Sequence, residues 1–129
     1  MIGKTIKAII TTNAPLIALV PAANMFPYVM NEDTSLPAII YTIDSISPEY
    51  TKGGWVNDVI SFSVHSFDKD YGTLQSIVSA IRTALEMNKT GTGTQNIGFI
   101  TLESFDEGYD QGGDIFYNKL TFSVTINTY

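Results

Sequence analysis

The sequence predicts an α+β domain: an antiparallel β-sheet of about four to five strands, two helices packed on one face, in the order α-β-β-β-α-β-β. Three observations predict it. Apolar residues recur at helical spacing near the N-terminus and over 74–85, but alternate with period two over 37–46, 55–66 and 115–127. The strand patterns pair across turn-like stretches on either side of the second helix, without βαβ alternation, which favours antiparallel pairing. Finally, 129 residues, 44% of them hydrophobic, suffice for one core and not for two, so 1–129 reads as a single domain.

In chain order, Ile2, Ile6, Ile9 and Ile10 share a helical face from which Lys4 and Lys7 are excluded. Asn13 can cap a second helical turn, Pro15 is tolerated near its start and Pro21 ends it, so the helix is expected to break near Asn13. Met25 to Met30 can form a short strand only at a sheet edge, because Pro27 lacks an amide proton. In "PAIIYTIDSI", Ile39, Tyr41 and Ile43 share one face, and Ile40, Thr42, Asp44 and Ile46 the other. "SPEYTKGGW", 47–55, reads as an exposed hairpin connection longer than a tight turn. Strand 55–66 places Val56, Ile60, Phe62 and Val64 inside, opposite Asn57, Val59, Ser61, Ser63 and His65.

The period changes at Asp68. Leu74, Ile77, Val78, Ile81, Ala84 and Leu85 form one helix face, with Asp68 as the expected cap and Asp70 in the first turn. The glycines of "NKTGTGTQN" end this helix, strand 97–105 follows, and "DEGYDQGGD" is a glycine-rich acidic turn region. In the last strand Phe116, Leu120, Phe122, Val124 and Ile126 point inward, and Tyr117, Lys119, Thr121, Ser123 and Thr125 outward.

Several function classes are disfavoured by composition. With no cysteine there is no disulfide framework, thiolate zinc site or cysteine nucleophile. A net charge of −6 opposes general nucleic-acid affinity, which needs Lys and Arg to displace phosphate counterions. The apolar run "LIALV" is too short and too interrupted for a cleaved signal, and no run approaches a membrane span, so the chain reads as soluble and intracellular, with no membrane partner.

The chain's only histidine invites a catalytic reading. His65 and Ser63 share a strand face, but two residues along a strand is about 7 Å, too far for a direct nucleophile–base hydrogen bond. No G-x-S-x-G elbow occurs. A calcium loop beginning at Asp68 fails, because positions five, six and twelve hold Gly72, Thr73 and Ser79. The carboxylates Asp106, Glu107, Asp110 and Asp114 match no established calcium-loop spacing and read as a solvated hairpin. "TGTGT" follows a helix instead of opening one, so it is no phosphate cradle. The expectation is therefore a non-enzyme without cofactor or metal.

Taken together, "PLIALVP" closing an N-terminal helix, the proline-led strand "LPAIIYTIDS", "VISFSVHSFD" passing into "YGTLQSIVSAIRTAL", and two last strands ending "FSVTINTY" resemble the tail-terminator and tail-completion proteins of long-tailed phages with non-contractile tails. The resemblance runs through the whole chain. It implies a structural virion protein in the tail, at the head–tail interface, forming a ring of usually six subunits. Such a ring caps the head-proximal end of the tail tube, stops polymerisation and docks to the head connector. The implied partners are further copies of the chain, the major tail tube protein, the head connector or stopper, and DNA that passes through the lumen without specific binding. The acidic balance suits a lumen that repels phosphate, whereas a lumen lined by Lys4, Lys7 and Lys52 would contradict it.

Two stretches are expected to supply neighbour or axial contacts. One is the hairpin connection with Glu49, Tyr50, Lys52 and Trp55; the other is the acidic loop with Asp106, Glu107, Tyr109, Asp110 and Asp114. Trp55 reads equally as a core or an interface anchor. The alternatives are a neck or head-completion adaptor, a small-ligand or peptide-binding module using the open sheet face, and an enzyme using Ser63 or His65 with a carboxylate.

Overall fold

Helix α1 (Ile2–Thr12) forms because Ile6 and Ile10, one turn apart, both find full burial, while Lys4 and Lys7 stay in solvent. The computed structural model describes residues 2–29, 35–51, 53–86, 96–97 and 100–127. At Asn13 the helix breaks as predicted: its side chain accepts from the Leu16 N–H at 3.1 Å and caps α2 (Ala14–Leu19), with Pro15 in the first turn. A 3₁₀ turn, Ala22–Asn24, leads into the short edge strand β1 (Met25–Pro27).

β1 lies parallel to β2 (Ala38–Thr51), with Met25 beside Ile39 and Pro27 beside Tyr41, so the sheet is mixed and the purely antiparallel prediction is corrected. The chain between them is no tight hairpin but a connection long enough to return to the same end of the sheet.

β2 and β3 (Gly54–Asp68) form one long antiparallel hairpin, paired from Ala38–Phe67 to Thr51–Gly54. Pairing therefore continues through most of 47–55, where an exposed connection was predicted. Pro48 is compatible with it because β1 covers β2 only at residues 39–41, so the missing amide costs no ladder bond at that free edge. A bulge lies between Ile43 and Ser45. It changes the alternation, and Ile46 pairs with Ile60 on the helix-facing side instead of lying with Ile40 on the opposite face.

Helix α3 (Tyr71–Leu85) buries all six residues of its predicted apolar face. Its cap is Asp70, which accepts from the Thr73 N–H at 2.9 Å and the Thr73 hydroxyl at 2.6 Å. Asp68, the predicted cap, is instead the last, buried residue of β3 and accepts from the Lys69 N–H. The glycine stretch 90–94 lies outside the described residues.

Strand 97–105 is resolved into two pieces, β4 (Asn96–Ile97) and β5 (Thr101–Asp110), which pair in succession with one edge of β6 (Ile115–Asn127). The sheet order is β1-β2-β3-β6, with β5 and β4 beyond β6. Because β3 and β5 both run antiparallel to β6, they run parallel to each other. Helix α3 is thus a crossover with β6 inserted between the strands it joins, not a link between two separate hairpins.

The helices all pack on one sheet face, as predicted. Ile6, Ile10, Leu16, Ile77, Ile81 and Leu85 meet Ile39, Ile60, Phe62, Val64, Leu120 and Phe122 there, and the rings of Phe62 and Phe122 stack at 5.4 Å. Each such side chain contributes roughly 1.5–3 kcal/mol by leaving water. Among the described residues, no helix lies against the second sheet face.

Candidate functional surfaces

The acidic stretch is mostly strand. Asp106, Glu107, Tyr109 and Asp110 belong to β5, and only residues 111–114 turn. The expected loop is corrected accordingly: the β-ladder to β6 continues to Asp110–Ile115 because the residues of 115–119 offer a full row of backbone partners. At the tip, Asp110 accepts from the Gly112 N–H at 3.0 Å, and Asp114 takes a left-handed conformation (φ 52°) that a short polar side chain tolerates. Tyr109 packs on Phe116 with ring centroids 4.7 Å apart and donates its hydroxyl proton to Asp114, which holds its phenol above the usual tyrosine range.

Glu107 faces the helices. It accepts from the Tyr71 hydroxyl at 3.1 Å and the Gln75 amide at 2.6 Å, tying β5 to the first turns of α3 and raising the Tyr71 phenol. Of these five predicted contact residues, Asp106 alone makes no side-chain hydrogen bond among the described residues. It is exposed, opposite Lys119 on the helix-free face. No group of three metal-ligating side chains comes together among the described residues.

Glu49 and Tyr50 are exposed near the tip of the β2–β3 arm, Tyr50 by 70%. Trp55 is the strand partner of Tyr50, but its side chain and Lys52 lie outside what is described. The two predicted contact groups are not brought together. The arm tip lies beyond the Asp58–Ile126 pair, whereas the 111–114 turn lies beyond the Asp68–Phe116 pair, so they occupy opposite ends of the sheet.

Sequence reasoning missed a polar cluster on the helix-free face. Ser63, fully buried, donates its hydroxyl proton to Asp44 and lies 3.3 Å from the Thr121 hydroxyl, while Thr42 donates to Asp44 at 3.0 Å. The usable signal was that Ser63 and Thr121 occupy the same outward positions on adjacent strands; the bulge that brings Asp44 to them leaves no such mark. His65 sits between Ile40 and Lys119. Its pKa is lowered, first by burial and then by the Lys119 charge, with Asp44 opposing. Ser63 thus spends its proton on a carboxylate, and the cluster is a hydrogen-bonded clasp across β2, β3 and β6, not a nucleophile with its base.

No helix among the described residues is long and apolar enough to cross a membrane. In comparisons with known proteins, none of the curated proteins matches the chain. Among solved structures, the fold is similar to a chain of the virion of the native gene transfer agent (GTA) particle. The TM-score is 0.81 at 14% identity, covering 95% of this chain and 91% of that one, a likeness of fold. The family model described as tail completion protein gp17 matches residues 4–127. That match runs from within α1 to the end of β6, and the chain accordingly belongs to the tail completion protein gp17 family, as a structural protein of a virion tail.

Proposed function

We propose that copies of this chain close into a ring on the head-proximal end of a non-contractile phage tail tube, end its polymerisation, and join the tail to the head connector. The observation that supports this most is the separation of two exposed, polar-aromatic groups to opposite ends of one rigid sheet. Glu49 and Tyr50 lie at one end, and Asp106, Asp110 and the 111–114 turn at the other. A joining protein needs two such ends, one for the major tail tube protein and one for the connector or stopper, and a single binding module or enzyme does not. Six subunits are carried over from the family resemblance. Ring closure requires heterologous contacts, one patch meeting a different patch on the next copy. DNA passes through the lumen without specific binding, in keeping with a net charge of −6. The role calls for no catalysis, cofactor or metal.

Separate end variants test the reading. Glu49→Ala/Tyr50→Ala and Asp106→Ala/Asp110→Ala should each abolish one docking step, to tube or to connector, while leaving the other intact in a pull-down with each partner. Retention of both docking steps in both variants would overturn it.

A further inference from the structure

The side of the molecule formed by α1 and β1 carries a groove of about 180 Å³ lined by Gly3, Pro27, Tyr28, Tyr41 and Ile43, with Lys4 and Lys7 on its rim. Its lining is almost wholly apolar, yet Tyr28 is 60% exposed and the adjoining Val29 75%. Neither lysine has an anionic partner among the described residues, where the one ion pair is Arg82–Glu86 at 2.8 Å. In a chain of net charge −6, these two exposed lysines make the side beside the apolar groove locally basic.

The opposite edge of the same sheet has the complementary character. There, among the described residues, no strand lies beyond β5, and a bulge between Leu102 and Ser104 frees Glu103 from the ladder. Glu103 is exposed, without a side-chain partner among the described residues, and Phe105, two residues on and opposite Leu120 on the helix-facing side, is 48% exposed; Asp106 points to the helix-free face. An aromatic side chain with an exposed carboxylate two residues away thus stands at one edge. At the other is an apolar groove, of a size for one such ring, rimmed by two exposed lysines.

We infer that this groove receives the β5 edge of the next copy of the chain, with Phe105 entering over Tyr28 and Ile43 and with Glu103, two residues before it, meeting Lys4 and Lys7. The contact rests on the ring reading and specifies the surface by which that ring closes. It is heterologous, since it joins the first and last edges of one sheet, and so propagates around a ring without using either surface twice. It also assigns Lys4 and Lys7 to a subunit boundary and not to the lumen. The β2–β3 arm is a poorer occupant. Its exposed aromatic, Tyr50, stands near the arm's tip at one end of the sheet, not along its edge.

The test is a charge exchange on the full chain. Lys4→Glu/Lys7→Glu makes both edges acidic at this contact, and Glu103→Lys makes both basic. Sedimentation velocity should show each variant alone self-associating on the order of 100-fold more weakly than wild type, because like charges then face each other. An equimolar mixture of the two should recover wild-type association by alternating around the ring. The three sites are exposed, and recovery on mixing excludes misfolding as the cause of the loss; Lys4→Gln/Lys7→Gln should give an intermediate loss.

Unchanged assembly in the single-edge variants, or no recovery on mixing, overturns this contact while a ring formed by wild type leaves the ring reading standing. Recovery with Glu49→Lys in place of the β5 variant would assign the groove to the arm and likewise overturn it. Loss of tube binding with the ring intact would assign it to the tube protein. A wild type that remains monomeric at high concentration and on tail tubes overturns the ring and this contact together.

Discussion

Ser66 and Asn118 face each other across β3 and β6 on the helix-covered side, both buried, and neither the Ser66 hydroxyl nor the Asn118 amide has a hydrogen-bond partner among the described residues. A buried polar group left unpaired costs roughly 1–3 kcal/mol. Ser66→Ala/Asn118→Leu should therefore stabilise the chain by about that amount, read as a higher midpoint in urea denaturation at unchanged slope. His65 gives a pH dependence of definite sign. Its folded-state pKa lies below the ordinary 6.5, so the unfolded chain binds the proton more readily. Its contribution is fully present above the ordinary value and is lost as pH falls through the folded-state value. The charged group it faces across β6 is Lys119, and across β2 the nearby carboxylate is Asp44. Melting curves by circular dichroism should fall in midpoint from about pH 7 to 5, and His65→Gln should flatten that slope. Neither residue-scale feature was legible in the sequence. Alternation places Asn118 inside and His65 outside, but only the register pairs them with Ser66 and Lys119.

Among the elements, those whose cause is local were legible. The α1–α2 break follows from Asn13 and Pro15 standing next to each other, and α3 from six apolar residues on one face. Asn13→Ala should cost about 1 kcal/mol in chemical denaturation, through loss of the bond to the Leu16 N–H. Features set by distant partners were not legible. Whether Asp68 or Asp70 caps α3 is decided by how far β3 stays paired with β6, and that pairing runs to Asp68–Phe116. The parallel run of β1 beside β2 likewise depends on a partner strand across an intervening connection, whereas β5 extends to Asp110 within its own hairpin with β6, through the Asp110–Ile115 pair. Glycine and acidic residues in 106–114 suggest a loop locally, yet Gly108 serves the strand. A Cβ there would collide with the Tyr117 hydroxyl, because that ring crosses directly over it. Gly108→Ala should displace the exposed Tyr117 ring with little loss of stability, visible as a change in tyrosine fluorescence at nearly constant melting temperature.

For the whole molecule, one sheet holds its ends, its sides and its covered face in fixed relation. The arm tip and the 111–114 turn mark its two ends, the Lys4–Lys7 groove and the β5 edge mark its two sides, and the helix layer covers one face. The residue types of both end groups could be picked out from the sequence, but their placement at opposite ends could not, since it follows from the β3–β6 register. A part with two ends and two complementary sides suits a ring set between two other assemblies. The most direct measurement is electron microscopy of purified protein mixed with tail tubes that lack it. The account predicts a closed ring on one end of each tube and no further growth when tube subunits are added. Bare tube ends, or continued elongation past the bound protein, would contradict it.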